Sequence, residues 1–470
     1  MSLEWNVATI GELCSNVSSG GTPKSTNEKY YGGDIPWLNT KEINFNRIYD
    51  TEKHITKEGY ENSAAKWVKK DSVIVAMYGA TAAKVAMNIV DLTTNQACCN
   101  LTIDKSLANP KFVYYYLYSN YERLLNLASG AAQQNLNSNI IKEFPINIPS
   151  LNVQNEIVNL LSTIDDKIEL NHKINKNLEQ LCHILFKYYF IDFVPFNNNK
   201  FINSEIGEIP NGWNITSVGD ILDCKLGGTP SRSNDSYWGG DIAWINSGKV
   251  NEFRIIEPSE YITDEGLKKS ATKLLPAKTT VIAITGATLG QISLLEIDSC
   301  ANQSVIGIIP NNKYPYEFVY PLISSILIDL LKHQTGGAQQ HINKNNLESF
   351  NIICPPVEVI LKYKNIVHPL YAQLSSNCFE IQKLTKLRDT LLPKLMSGEI
   401  DVSKINCDLK IIIRKIYIKS SKLFLWRYLS ENQNHIKNTK SNETLLKSRT
   451  IYQINKFLAK FNARYRYYRQ

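Results

Sequence analysis

Nowhere in the 470 residues does an apolar run reach the roughly 18 residues that a membrane-spanning helix needs. The opening MSLEWNVATI also lacks the charged-then-apolar pattern of a secretory signal. The expectation is a globular, cytoplasmic chain with no membrane contact. Its nine cysteines (14, 98, 99, 182, 224, 300, 354, 378 and 407) never fall in a CxxC pair, so they read as reduced thiols and not as a zinc site. Seven histidines show no HExxH or other metal-ligand spacing, and no metal is expected. No cluster of carboxylates with a following lysine suits a nuclease. The phosphate loop G-x-x-x-x-G-K-[ST] is missing as well. Its nearest approximation, GGTPKST at 20–26, has no second glycine before the lysine.

A surplus of positive charge is missing from most of the chain too. The formal net charge is +8, but residues 403–470 hold 16 of the 52 Lys/Arg against three acids, Asp408, Glu431 and Glu443. That leaves 36 basic and 41 acidic residues in the first 402, a net −5. Nucleic-acid binding by the main body therefore has to come from local patches.

What the chain does have is a second copy of itself. GGTP at 20–23 recurs at 227–230, an offset of 207. At the same offset YYGGDIPWLN (30–39) meets YWGGDIAWIN (237–246), and EG (58–59) meets EG (265–266). GAT (79–81) likewise meets GAT (286–288), and NQ (95–96) meets NQ (302–303). GAAQQNLN (130–137) faces GGAQQHIN (336–343) at offset 206. A period this long marks a duplicated domain and not a solenoid. Within each copy SVIVAMY (72–78) and TVIAIT (280–285) predict strands, and the segments 110–128 and 315–332, each opened by proline, predict helices. Each copy is mixed α/β, of the α+β kind, without regular strand–helix alternation. Tyr114, Tyr115, Tyr116 and Tyr118 read as packing residues before a stacking platform.

A long helix is predicted after each copy. Its apolar stripe is Ile157, Leu161, Ile164, Ile168, then Leu178, Leu181 and Leu185 in the first case. In the second it is Tyr363, Val367, Leu370, Leu374, then Leu384, Leu387 and Leu391. Alternating steps of three and four form a coiled-coil seam. Asn171 and Asn377 fill the gaps, either as register-setting seam residues or as exposed positions beside a shifted seam. Each helix of roughly 38 residues would be about 55–60 Å long. The economical arrangement packs them on each other. If they pair antiparallel, two similar globules stand apart around a pseudo-two-fold axis. That design suits reading two half-sites of one duplex. Because the copies differ, the target need not be palindromic.

The two GGTP…Y(Y/W)GGDI(P/A)W segments, the GAAQQNLN and GGAQQHIN loops, SEIGEIPNGW (204–213) and LRDTLLPKLMSGEIDV (387–402) resemble the specificity subunit of type I restriction–modification systems. The resemblance covers residues 1–402 of the 470. It implies target-recognition domain 1 over 1–150, a first coiled-coil helix over 151–195, and linker plus target-recognition domain 2 over 196–356. A second helix over 357–402 and a basic extension over 403–470 complete the order. It also implies binding to double-stranded DNA at a bipartite, asymmetric sequence, one half per domain. The implied partners are two modification (methyltransferase) subunits using S-adenosylmethionine, and restriction (helicase–nuclease) subunits using ATP and Mg2+. No catalysis and no cofactor are implied for this chain itself.

The residues agree with a reader and not with a self-sufficient enzyme. An amino-methyltransferase would need Asp/Asn-Pro-Pro-aromatic, and the nearest stretch, CPPV at 354–357, reads as the corner where a helix begins. Lys24-Ser25 becomes Ser231-Arg232 in the second copy, so the supposed phosphate ligand is not kept. Recognition needs amides and basic groups for base edges, and N–H, hydroxyl and basic groups for phosphate. The candidates are Gly20, Gly21, Thr22, Lys24, Ser25, Thr26, Gln133, Gln134 and Asn135 in the first copy. Gly227, Gly228, Thr229, Ser231, Arg232, Gln339, Gln340 and His341 are their counterparts in the second. The plainer alternative makes GGTP a tight turn and QQ a loop closure. Residues that differ between copies (Lys24, Thr26, Asn135, Arg232, His341) are the better candidates for readout, and Trp37 and Trp244 for core anchors. The 403–470 segment reads either as a nucleic-acid arm, with arginines among tyrosines, or as an accessory extension. A DNA enzyme with an unrecognised site and a protein-binding scaffold are the rival function classes.

Overall fold

In the computed structural model, which describes residues 5–128, 135–332 and 341–402, the chain divides into two units. One comprises the segments up to residue 168 and from 383 on; the other runs from 169 to 382. The division falls inside the two 40-residue helices, Leu151–Phe190 and Val357–Met396.

In the first unit a five-stranded sheet has the order Cys14–Ser19, Cys98–Ile103, Val73–Ala76, Val85–Asn88, Asn46–Ile48. A four-stranded sheet has the order Lys53–Ile55, Tyr31–Leu38, Leu92–Thr94, Trp67–Val68. Asn6–Thr9 pairs antiparallel with Pro145–Ile148, which leads into the first long helix. Val73–Ala76 is apolar without alternation because both of its faces are covered. Val73 and Val75 join the core around Phe112 and Tyr115, while Ile74 and Ala76 join Leu38 and Ile43 on the other side. The predicted 110–128 helix forms as Pro110–Ser119 and Tyr121–Leu125, separated at Asn120. Tyr114, Tyr115 and Tyr116 are buried in the core, as packing residues.

The second unit repeats this plan. Asp223–Leu226, Val305–Ile309, Thr280–Ala283 and Ile292–Leu294 form one sheet, and Glu260–Ile262, Trp238–Ile245 and Cys300–Ala301 another. Asn214–Ser217 pairs with Asn351–Cys354, whose Pro355-Pro356 corner precedes Val357 at the helix start. The duplication reaches the backbone: left-handed φ angles recur at the 207 offset, +66° at Asp71 and +70° at Lys278, +64° at Ala83 and +79° at Gly290. L side chains rarely adopt these angles, so their repetition is a signature of one shared loop design.

Within each unit the two long helices run antiparallel. In the second unit Asn171 donates to Glu380 Oε2 at 2.8 Å, Asn377 donates to Asn175 Oδ1 at 2.8 Å, and the rings of Phe190 and Tyr363 are 4.9 Å apart. Both asparagines are buried; each crosses to the opposite helix, and neither meets the other. In the first unit Ile157 and Leu161 share a core with Leu392 and Leu395, and Arg388 donates to Asp165 Oδ1 at 3.0 Å. The expected seam residues Ile157, Leu161, Ile164, Ile168, Leu178, Leu181, Tyr363, Val367, Leu370 and Leu374 are all buried, whereas Leu185, Leu384 and Leu391 are half-buried. Leu387 requires a correction, because it is 44% exposed. The stripe steps instead through Arg388, Leu392 and Leu395, since the Arg388 guanidinium turns inward to Asp165 and to the Tyr118 hydroxyl.

Candidate nucleic-acid interface

Both GGTP stretches are loops pressed against backbone. A Cβ on Gly20 would lie 1.9 Å from the Thr94 carbonyl oxygen, and one on Gly21 2.4 Å from the Ala64 carbonyl carbon. In the second unit the corresponding distances are 2.1 Å from Gly227 to the Asn302 oxygen and 2.5 Å from Gly228 to the Thr272 nitrogen. The glycines are there because no side chain fits. The Gly21 carbonyl accepts the Trp37 indole N–H at 2.9 Å, and the Gly228 carbonyl accepts that of Trp244 at 3.1 Å. Both tryptophans are buried anchors. Thr22 donates to the Gln96 side-chain oxygen and Thr229 to that of Gln303, both at 2.5 Å. The repeated tryptophan and NQ motifs thus serve to close the repeated GGTP motif.

The same contacts bring distant stretches onto one rim. Next to Gln96, the Ala97 carbonyl accepts the Met77 N–H at 2.8 Å, and the Met77 carbonyl accepts the Leu136 N–H at 2.7 Å. Tyr78 bridges Asn135. In the second unit Ile284 donates to Ser304 at 2.9 Å and accepts from Ile342 at 3.2 Å. Residues 22, 96, 77–78 and 135–136 are therefore joined one to the next, as are 229, 303–304, 284 and 342. Lys24, Ser25 and Thr26 are exposed on this rim, as are Ser231 and Arg232; Asn135 is exposed and His341 half-buried. Gln133, Gln134, Gln339 and Gln340 lie outside the described residues.

The two rims differ in charge. Lys24 makes no ion pair among the described residues. Arg232 gives a two-pronged pair to Glu260, Nη1 to Oε2 at 2.6 Å and Nη2 to Oε1 at 2.7 Å. Its guanidinium carbon lies 3.6 Å from the Trp238 ring centroid. The hydrogen bonds from Arg232 hold the Glu260 carboxyl below its ordinary range.

A family profile described as "Type I restriction modification DNA specificity domain" matches residues 2–180 and 210–386, one match per copy. The chain belongs to this family. The MjaIX specificity subunit of Methanocaldococcus jannaschii is 30% identical over 413 residues, covering 86% of this chain and 95% of that one. The HindI specificity subunit of Haemophilus influenzae is 24% identical over 468 residues, 84% of this chain and all of that one. The crystal structure of the specificity subunit of a type I system from M. genitalium has the same fold at a TM-score of 0.55 and 19% identity, covering 84% of this chain and 96% of that one.

Each specificity domain thus takes in one GGTP loop, one tryptophan anchor and one glutamine-rich segment. Elsewhere in the two domains, burial pushes the Cys14 thiol to about 11 and the Cys99 and Cys224 thiols to about 12, so none is a thiolate nucleophile at neutral pH. Among the described residues no His, Cys, Asp and Glu group could hold a metal ion, and no helix is long and apolar enough to cross a membrane. Sequence reasoning missed Glu260. Its signal was the 207 offset, which places Glu260 opposite Lys53 and Arg232 opposite Ser25.

Proposed function

We propose that this chain is the DNA-reading subunit of a type I restriction–modification complex, with each specificity domain reading one half of a bipartite, asymmetric target. One observation carries the reading. In both domains the repeated residues close the same rim, by the buried tryptophan-to-glycine hydrogen bond and the threonine–glutamine contact, while the residues that differ, Lys24–Thr26 and 231–233, are exposed on it. Agreement holds the frame and difference supplies the choice of bases. Catalysis belongs to cytoplasmic partners: two modification subunits with S-adenosylmethionine methylate adenine, and restriction subunits with ATP and Mg2+ cleave. Methylome sequencing with and without the gene tests this. Loss of N6-methyladenine at one bipartite motif is expected. An unchanged methylome in a strain with active partner subunits overturns it.

A further inference from the structure

The differences between the two rims concentrate at one corner. Lys53–Ile55 and Glu260–Ile262 are edge strands of their sheets, and their first residues pair with equivalent tryptophans, Lys53 with Trp37 and Glu260 with Trp244. Beside each stands a second ring pinned to the GGTP loop. Tyr31 donates to the Pro23 carbonyl at 2.7 Å, and the Trp238 indole donates to the Ser231 carbonyl at 3.1 Å. A cation lies over that ring in both units, but it comes from different places. In the first unit it is the Lys53 ammonium of the edge strand, 5.9 Å from the Tyr31 centroid. In the second it is Arg232 from the loop, with the edge strand contributing Glu260.

We propose that Glu260 is a specificity-determining residue, holding Arg232 flat on Trp238 as a guanine reader, whereas Lys53 over Tyr31 contacts phosphate without choosing a base. The inference rests on the DNA-reading role proposed above. A guanidinium has five N–H donors and more than one edge capable of a two-pronged contact. Glu260 occupies the Nη1/Nη2 edge, and Arg232 makes no other hydrogen bond among the described residues. The edge containing Nε remains for the O6/N7 acceptors of guanine in the major groove. The ion pair is half-exposed, with side chains 53% and 42% accessible. Such pairs add little to stability; the consequence of this one is geometric, fixing a flexible cation in one plane before DNA arrives. An ammonium has no such fork and acts as a point charge.

The test uses the complete complex. Methylomes and duplex competition binding are compared for wild type, Arg232→Lys, Glu260→Gln and Lys53→Ala, with thermal melting to check that each variant folds. Arg232→Lys and Glu260→Gln are expected to relax one guanine position in one half of the motif, losing roughly 5- to 150-fold in discrimination there. The other half should stay intact. Lys53→Ala is expected to keep the motif and reduce the salt-dependence slope of binding by about 1. Full guanine discrimination in folded Arg232→Lys overturns the inference. So does tighter, equally selective binding by Glu260→Gln, which would make Glu260 a mask. In either case an intact bipartite motif leaves the DNA-reading role standing, whereas a wild-type complex with no bipartite motif defeats that role itself.

Discussion

A methyl group at Gly20 would overlap the Thr94 carbonyl oxygen, a backbone atom that cannot swing away. Gly20→Ala is therefore expected to destabilise the first unit by about 1–3 kcal/mol, the usual cost of overpacking. Gly227→Ala, facing the Asn302 carbonyl oxygen, should do the same in the second. Ser25→Ala, on the exposed flank, should stay within about 0.5 kcal/mol of wild type. Denaturant midpoints read all three, and a Gly20→Ala protein as stable as wild type would show that the loop relaxes freely. At this scale GGTPKST viewed alone suggests a phosphate loop, because glycine, lysine and hydroxyl are its parts. Comparison with GGTPSRS separates them: the glycines and the first threonine hold the loop, and the charged flank is free to vary. The same comparison marks Glu260 and Arg232 only as separate differences between the copies; that they pair across 28 residues of sequence is a fact of the fold. It becomes visible only when the edge strand is laid beside the loop.

Among the elements, the long helices were legible where burial and hydrophobicity coincide. Leucine and isoleucine spacing locates the seam from Ile157 through Leu374, and the asparagines fall where a polar crossing exists. The pattern fails at Leu387 because hydropathy treats arginine as an outer residue. Arg388 lies inward instead, its stem packed and its head joined to Asp165 and Tyr118, with Tyr115 donating to the other Asp165 oxygen at 2.6 Å. Removing one member of a largely buried pair strands the other. Arg388→Ala is accordingly expected to cost about 3 kcal/mol, the lower end for such a pair because both side chains retain some solvent contact. Leu387→Ala should cost well under about 1 kcal/mol despite removing the more hydrophobic residue. Thermal or urea unfolding of the two variants decides between the leucine seam and the arginine-containing one.

For the whole molecule, the consequence of duplication is independence. Each unit has its own sheets, its own core and its own rim, closed by its own threonine–glutamine contact. The threonine–glutamine contact of each rim is made within its own unit. Lys24→Ala should therefore affect the half-site read by the first domain, and Arg232→Lys the half-site read by the second. Combined in one chain, their effects on duplex affinity should add, with a coupling of no more than about 0.5 kcal/mol. The measurement is a double-mutant cycle on the assembled complex, using duplexes altered in one half, the other or both. Additivity with each variant confined to one half fits two readers chosen separately, which is also how one gene could acquire a new target by changing a single copy. A coupling well above that limit would mean that the two rims bind DNA as one surface, and the duplicated halves could not then be treated as separable determinants of the target.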